Sequence, residues 1–302
     1  MLQERAYSFF DAEMLETIPR NLVGTQCIAM YTGKLPPGTQ MVTQEERLTL
    51  EGEAKRGIKG QPIPREIADF RKASVVIPEI AHGFYLHRKD LQAAQNTGDL
   101  PTSGVEGSST LVRENLEDLI FNGDVNLGIR GIFRSATGNN STPYAVTGGK
   151  EWNAAGTTPV EIFNSVVDME SKFTAASRYK PDKMLVSQGA RMAMFKADAY
   201  GNSGASMLAE SGLFIGGMAD ILEHPMRNND AKQTAKPYFV KDEGLMFAVD
   251  KRVADRIVEE DINLRYKGEN ESEQHAYNIV TYQTIRVKRT DAFMKLDNLV
   301  TA

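Results

Sequence analysis

Asn115-Leu116-Glu117-Asp118-Leu119-Ile120-Phe121-Asn122-Gly123 and, after Asp124-Val125-Asn126, Leu127-Gly128-Ile129-Arg130-Gly131-Ile132-Phe133 mark a helix end and a tight turn. Val112, Leu116, Leu119 and Ile120 recur at helical spacing and share one face, and Val105 extends that face backwards. Asn122-Gly123 supplies the left-handed stop expected at a helix C-terminus. This is the longest helix the sequence predicts.

Working outward, the rest of the chain reads as an α+β pattern without internal repeat or regular βαβ alternation. An amphipathic helix is expected over residues 2–18 and a strand over Thr25–Tyr31, closed by the turn cluster Gly33–Gly38. Thr39–Lys72 is highly charged and punctuated by Gly52, Gly57, Gly60, Pro62 and Pro64. Residues 45–50 and 63–70 are expected to form the arms of a long hairpin with a Gly-rich tip, and such a segment has little of its own to bury. Val75–Ile80 returns to strand character. Thr158-Pro159-Val160-Glu161 is a capping box with proline at the first helical position, opening a helix to about Ser177. A buried strand is expected over Lys183–Ser187 and a helix near Gln188–Ala199, followed by small-residue loops over 201–217. A hairpin is expected from Tyr238–Val240 to Leu245–Val249. Strands at Arg256–Val258, Ile262–Tyr266, Tyr277–Lys288 and Ala292–Leu296 close the chain.

The 302 residues are 41% hydrophobic and 25% charged, which excludes disordered, collagenous and coiled-coil classes. The net charge of −5 argues against a broadly basic, nucleic-acid-reading surface. Cys27 is the single cysteine, so no internal disulfide forms and a reducing compartment fits. No signal peptide or stretch of membrane-spanning length is read, so a soluble chain is expected.

Catalytic signatures are scarce. No G-x-G-x-x-G or P-loop motif occurs, and no nucleophile elbow; Ser203 lies in a small-residue stretch and reads as a loop serine. His82, His87, His224 and His275 form no metal-ligand pair, so no metal and no cofactor is expected. Glu259-Glu260-Asp261 reads as a solvated turn, and Trp152 with the scattered Tyr and Phe residues as core.

The stretch quoted first resembles the end of the spine helix and the following G-I-x-G-[IL] turn in encapsulins and related tailed-phage major capsid proteins. The element order, and the similarity of Thr281–Phe293 to that family's final strand, extend the resemblance over nearly the whole chain; Thr290-Asp291-Ala292 departs from it by lacking a proline. The resemblance implies a tailed-phage major capsid (encapsulin-type) fold. It would divide into an N-terminal arm 1–38, an E-loop 39–74, a peripheral domain 75–130 with 255–288, and an axial domain 131–254 with 289–302. Val112, Leu116, Leu119, Ile120 and Phe121 would belong to the spine helix.

In that family the E-loop lies over a neighbouring subunit, which implies inter-subunit contacts by Arg47, Glu51, Lys55, Arg56, Lys59 and Arg65. Some members crosslink subunits through Lys and Asn; Lys55 and Lys59 are positioned as donors, but no acceptor or catalytic Glu is recognisable, and solubilising or ion-pairing lysines are the simpler reading. The implied function is structural, not enzymatic: pentamers and hexamers closing into an icosahedral shell. The charged E-loop, the polar insertions at 138–150 and 224–236 and the altered ending favour a viral capsid in the virion. It would be assembled in the host cytoplasm around DNA held without sequence-specific contacts, with scaffold, portal or minor capsid proteins as further partners and no membrane. The alternative is an encapsulin nanocompartment enclosing cargo protein in a bacterial or archaeal cytoplasm, and the rival from another class is a soluble α+β enzyme with an unrecognised site.

Overall fold

The face read around Leu116 becomes the longest helix, Ser103–Phe121, with Val105, Val112, Leu116 and Leu119 buried and Ile120 and Phe121 fully enclosed. It stops where expected, because Gly123 adopts a left-handed φ of 72°. The turn beyond it closes so tightly that a Cβ on Gly131 would overlap the Phe121 carbonyl oxygen, and one on Gly123 the Ile129 carbonyl oxygen. Only glycine fits at either place. The computed structural model describes residues 23–47, 70–97, 103–138, 144–177, 179–198, 200–213, 215, 219–223, 243–269 and 274–300.

Among these, the strands are β1 (Ala29–Met30), β2 (Met41–Arg47), β3 (Phe70–Val76), β4 (Glu79–His87), β5 (Gly123–Asp124), β6 (Ile129–Arg130), β7 (Tyr144–Ala145), β8 (Lys183–Val186), β9 (Ile221–Glu223), β10 (Gly244–Phe247), β11 (Ala254–Glu269), β12 (Gln274–Val287) and β13 (Phe293–Asp297). Four form a sheet in the order β1-β11-β12-β4, five another in the order β7-β13-β10-β8-β9, and β2-β3 and β5-β6 are separate two-stranded ribbons. The long helix lies on the four-stranded sheet. Ser108 Oγ meets His82 Nδ1 at 2.9 Å, and a Cβ on Gly104 would touch the Phe84 ring, which stacks on Tyr277 at 5.6 Å. Buried residues on both faces of β12, Ile279, Thr281 and Ile285 on one and Val280, Thr284 and Arg286 on the other, mean that this strand is covered on both sides.

A buried ionic cluster ties this sheet to the incoming N-terminal segment. Arg286 donates two hydrogen bonds to Asp255, Nε to Oδ1 at 2.9 Å and Nη2 to Oδ2 at 2.6 Å. Lys288 Nζ adds a contact at 2.9 Å, and the Arg286 guanidinium lies over the Tyr31 ring. The carboxylate thus meets two cations with bidentate geometry from one of them.

The capping box forms as written: Thr158 Oγ1 accepts from Glu161 N while the Glu161 carboxylate accepts from Thr158 N, opening the helix Pro159–Ala176. Its face Ile162, Val166, Met169 and Phe173 is buried in the same core as the five-stranded sheet. Trp152, in the loop before it, is buried and donates Nε1–H to Ser165 Oγ at 2.8 Å.

Several expectations are corrected. Residues 25–31 are not one strand but the short helix Gly24–Cys27 followed by β1, with Gly24 packed against Ile120. Val75–Ile80 is broken at Ile77-Pro78, where β3 gives way to β4, since proline cannot donate to a ladder. The helix after β8 ends at Met194 rather than Ala199. Residues 204–211 form a helix, not a loop, started by Ser203 and Ser206 in a reciprocal cap; Ser at the third helical position carries no Glu or Gln signature. Glu259-Glu260-Asp261 lies within β11 at a bulge rather than in a turn. Both edges of β10 are taken, by β8 and β13, so it is not one arm of a two-stranded hairpin; its expected partner, 238–240, lies outside the described residues.

Candidate assembly surfaces

β2 and β3 pair antiparallel from Met41↔Val76 to Arg47↔Phe70, so the long hairpin exists with its paired arms at 41–47 and 70–76. The arms read as 45–50 and 63–70 overlap these only at their outer ends. The ribbon is anchored at its base: Ile77 N donates to Gln40 O at 2.8 Å, and Gly38 N to Glu259 Oε1 at 2.7 Å. Arg47 stands in the last described pair, opposite Phe70. Glu51, Lys55, Arg56, Lys59 and Arg65 lie outside the described residues, as does the expected helix 2–18. The other singled-out residues, Val112, Leu116, Leu119, Ile120 and Phe121, are all buried, and their role is to fix the helix in the core.

Where the chain enters the described structure, the Glu117 carboxylate receives Gly24 N–H at 3.1 Å. Burial raises this carboxyl from its ordinary 4.5 to about 7, against the opposing pull of the Gly24 and Val23 amides. The folded subunit therefore holds a proton between pH 4.5 and 7 that the unfolded chain releases, so this group favours folding below pH 4.5 and loses that contribution as pH rises to 7. Glu117→Gln, which keeps an acceptor for Gly24, is expected to stabilise the subunit by roughly 2–3 kcal/mol at pH 8 and by little at pH 4.5. Denaturant unfolding of both proteins at the two pH values checks this; an equal difference at both would contradict it.

A surface that the sequence reading missed follows the helix Gln188–Met194. Asp198 closes the 198–202 loop: its Oδ1 accepts from Tyr200 N at 2.8 Å and Asn202 N at 2.9 Å, and its own N–H donates to Asn202 O at 2.8 Å. The Asn202 amide, then that of Tyr200, holds the Asp198 carboxyl below its ordinary range. Gly201, at φ 84°, completes the turn. Tyr200 in this loop is 90% exposed, and Phe195 (52%) and Met192 (63%), five and eight residues earlier in the chain, are exposed as well. Three exposed large apolar side chains within nine residues make this stretch a candidate contact surface. The signal in the sequence, Asp198 two residues before Tyr200 and three before Gly201, marks a turn but not the exposure of the aromatic it carries.

Other candidate groups have structural employment. Ser203 Oγ accepts from Ser206 N as a helix cap. His275 Nδ1 meets Tyr266 Oη at 3.1 Å, and His87 Nδ1 accepts from Lys89 N. The Cys27 thiol is buried, which pushes its pKa up. Among the described residues, no cluster of three His, Cys, Asp or Glu could hold a metal ion, and no helix is long and apolar enough to cross a membrane.

Comparison with known proteins adds sequence and fold relatives. No protein-family model matches the sequence. The Type 1 encapsulin shell protein EncA of Myxococcus xanthus is 27% identical over 188 residues, 62% of this chain and 61% of its own length; the chain thus spans less than two thirds of that relative. The virus-like particle of Pyrococcus furiosus superposes with a TM-score of 0.62 at 15% identity over 97% of this chain and 99% of that one. The capsid of Myoviridae phage XM1 superposes with a TM-score of 0.64 at 14% identity over 92% of each chain. The SrpI encapsulin of Synechococcus elongatus superposes with a TM-score of 0.57 at 13% identity, over 94% of this chain and 89% of that one. The chain has the tailed-phage capsid fold and is encapsulin-like, and the relatives with that fold are shell and capsid proteins rather than enzymes.

Proposed function

We propose that this chain is the subunit of a closed protein shell. The observation that carries the reading is the likeness in fold to shell subunits over 97% of the chain, and a charged ribbon of this chain tied to the body at its base supports it. Such an arm is ordered by a second copy. Arg47, Glu51, Lys55, Arg56, Lys59 and Arg65 are the proposed contacts along it, and repeated heterologous contacts close by symmetry into pentamers and hexamers. The two sheets support the proposed division into a peripheral domain (75–130 with 255–288) and an axial domain (131–254 with 289–302), since the four-stranded sheet draws mainly on the first set and the five-stranded sheet on the second. The Tyr200 loop then belongs to the axial domain, as a contact between copies.

The contents are a protein cargo in the reading that the sequence similarity to EncA favours, with assembly in the cytoplasm of the producing cell. The similarity to a phage capsid favours the second reading, a shell around DNA assembled with scaffold or portal proteins. Absorbance at 260 and 280 nm of particles purified from the native source separates the two: co-purifying protein without nucleic acid supports the compartment, and long DNA supports the capsid.

Excising Gly52–Gly60 tests the shell itself. The variant is expected to keep the circular dichroism spectrum of the parent while losing assembly; unchanged assembly would contradict the proposal. Tyr200→Ser, at a side chain that is 90% exposed, is expected to leave unfolding within about 0.5 kcal/mol of the parent while weakening particle formation, read as a higher critical concentration in light scattering.

A further inference from the structure

The four-stranded sheet ends at two edges that are built differently. On one side β11 gives only Asp255 and Arg256 to β1, and the rest of that long edge is broken by three register shifts against β12 and carries Glu259, Glu260, Asp261, Arg265, Lys267 and Glu269. Bulges and charges of this kind keep a strand edge from pairing with another chain. On the other side β4 has none of these devices. Its nine residues pair with β12 without a shift, from Glu79↔Tyr282 to His87↔Gln274, and include no lysine, arginine or proline. Among the described residues no backbone hydrogen bond reaches its outer edge, and Glu79, Ala81, His82, Gly83 and Tyr85 are exposed along it.

An open edge of this length is a template for a further strand. The sequence of β4 fits one partner closely, a copy of itself run in the opposite direction. About a two-fold axis at Gly83, Glu79 faces His87, a carboxylate opposite an imidazole, and Ile80 faces Leu86, apolar against apolar. Ala81 faces Tyr85, small against large, and His82 faces Phe84, ring against ring. Each pair occurs twice, as an isologous contact requires. Moving the axis by one residue along the strand leaves two residues of each copy unmatched and parts Ile80 from Leu86.

The helix Ser103–Phe121 fits the same axis. It lies over the β4–β12 pair, with Ser108 against His82 and Gly104 against Phe84. Two strand spacings then separate it from its two-fold mate, about 10 Å, a normal distance between packed helices. Leu111, 48% exposed on the flank shared with Gly104 and Ser108, is turned towards that mate.

We propose that β4 pairs antiparallel with β4 of a second copy about a two-fold axis at Gly83, joining two four-stranded sheets into one of eight strands. As a two-fold junction in a closed shell the contact rests on the shell reading, while the edge that makes it belongs to the single subunit.

Disulfide trapping tests the pairing and its register. Directly opposed residues of antiparallel strands hold their Cα atoms about 4.5–5.5 Å apart, which a disulfide spans. The chain carrying Ala81→Cys together with Tyr85→Cys, oxidised in a glutathione buffer and run on a non-reducing gel, is expected to give at least tenfold more linked dimer than either single variant. The parent, whose Cys27 is buried, stays unlinked. Because both positions are exposed, mixing the Ala81→Cys chain with the Tyr85→Cys chain repeats the test with one substitution per subunit, and only the mixed dimer is expected. Linkage of the double variant no greater than that of the single ones, or an unlinked mixture, would overturn the proposal. Electron microscopy of the same samples keeps the two readings apart: closed particles without linkage overturn the β4 contact and leave the shell standing, whereas linked dimers without particles contradict the shell and support this contact.

Discussion

Asp255→Ala is expected to cost the subunit about 3–5 kcal/mol, because it strands a charge instead of deleting a contact. Asp255 is 1% exposed and Arg286 7%, and the carboxylate is the acceptor for both Arg286 hydrogen bonds and for Lys288. Removing it leaves the guanidinium enclosed between β11, β12 and Tyr31 with no compensating oxygen. The effect spreads, since the register β1-β11-β12 passes through these residues: Ala29 pairs with Asp255, and Asp255 with Arg286. Urea unfolding of the unassembled subunit measures the loss. Lys150→Ala, at the exposed Lys150–Glu161 pair, is the control and should cost under about 1 kcal/mol. Equal effects for the two variants would refute the assignment of the buried cluster as a structural anchor.

Gly131→Ala is expected to destabilise the subunit by on the order of 3 kcal/mol. The new Cβ would meet the Phe121 carbonyl oxygen and the Asn122 carbonyl carbon, which are backbone atoms and cannot swing aside. The whole junction from the long helix into the β5–β6 ribbon has to move, and Phe121, fully enclosed, moves with it. Gly107→Ala supplies the opposite sign within the same helix: a Cβ there meets open space, and replacing a mid-helix glycine should stabilise by about 1 kcal/mol. Thermal unfolding of the two variants side by side separates a steric requirement at Gly131 from a general sensitivity of the region.

The same junction explains why the fold was legible in the sequence. The spacing of Val112, Leu116, Leu119 and Ile120, the Asn122-Gly123 stop and the glycines at 128 and 131 are each local signals, and they agree with one another and with the packing. The capping box at Thr158 is equally local and equally exact. What escaped depends on distant partners. Gly24–Cys27 looks like a strand by composition but coils because Ile120 and Glu117 receive it. Glu259, Glu260 and Asp261 look like a turn, yet Gly38, Arg265 and Gln283 hold them in a bulged strand. The exposed aromatic at Tyr200 was hidden for a related reason. An exposed aromatic becomes informative only once Asp198 is seen to fix the loop that carries it. Of the proposed contacts along the charged hairpin, the sequence could indicate the arm and its polarity but not which side chain meets which partner, because the partners proposed for them lie on another copy.

The central claim, that this chain closes into a shell, is tested most directly by electron microscopy of the purified chain expressed alone. Closed, uniform particles of icosahedral symmetry are the predicted result. A discrete small oligomer at every protein and salt concentration tried would contradict it.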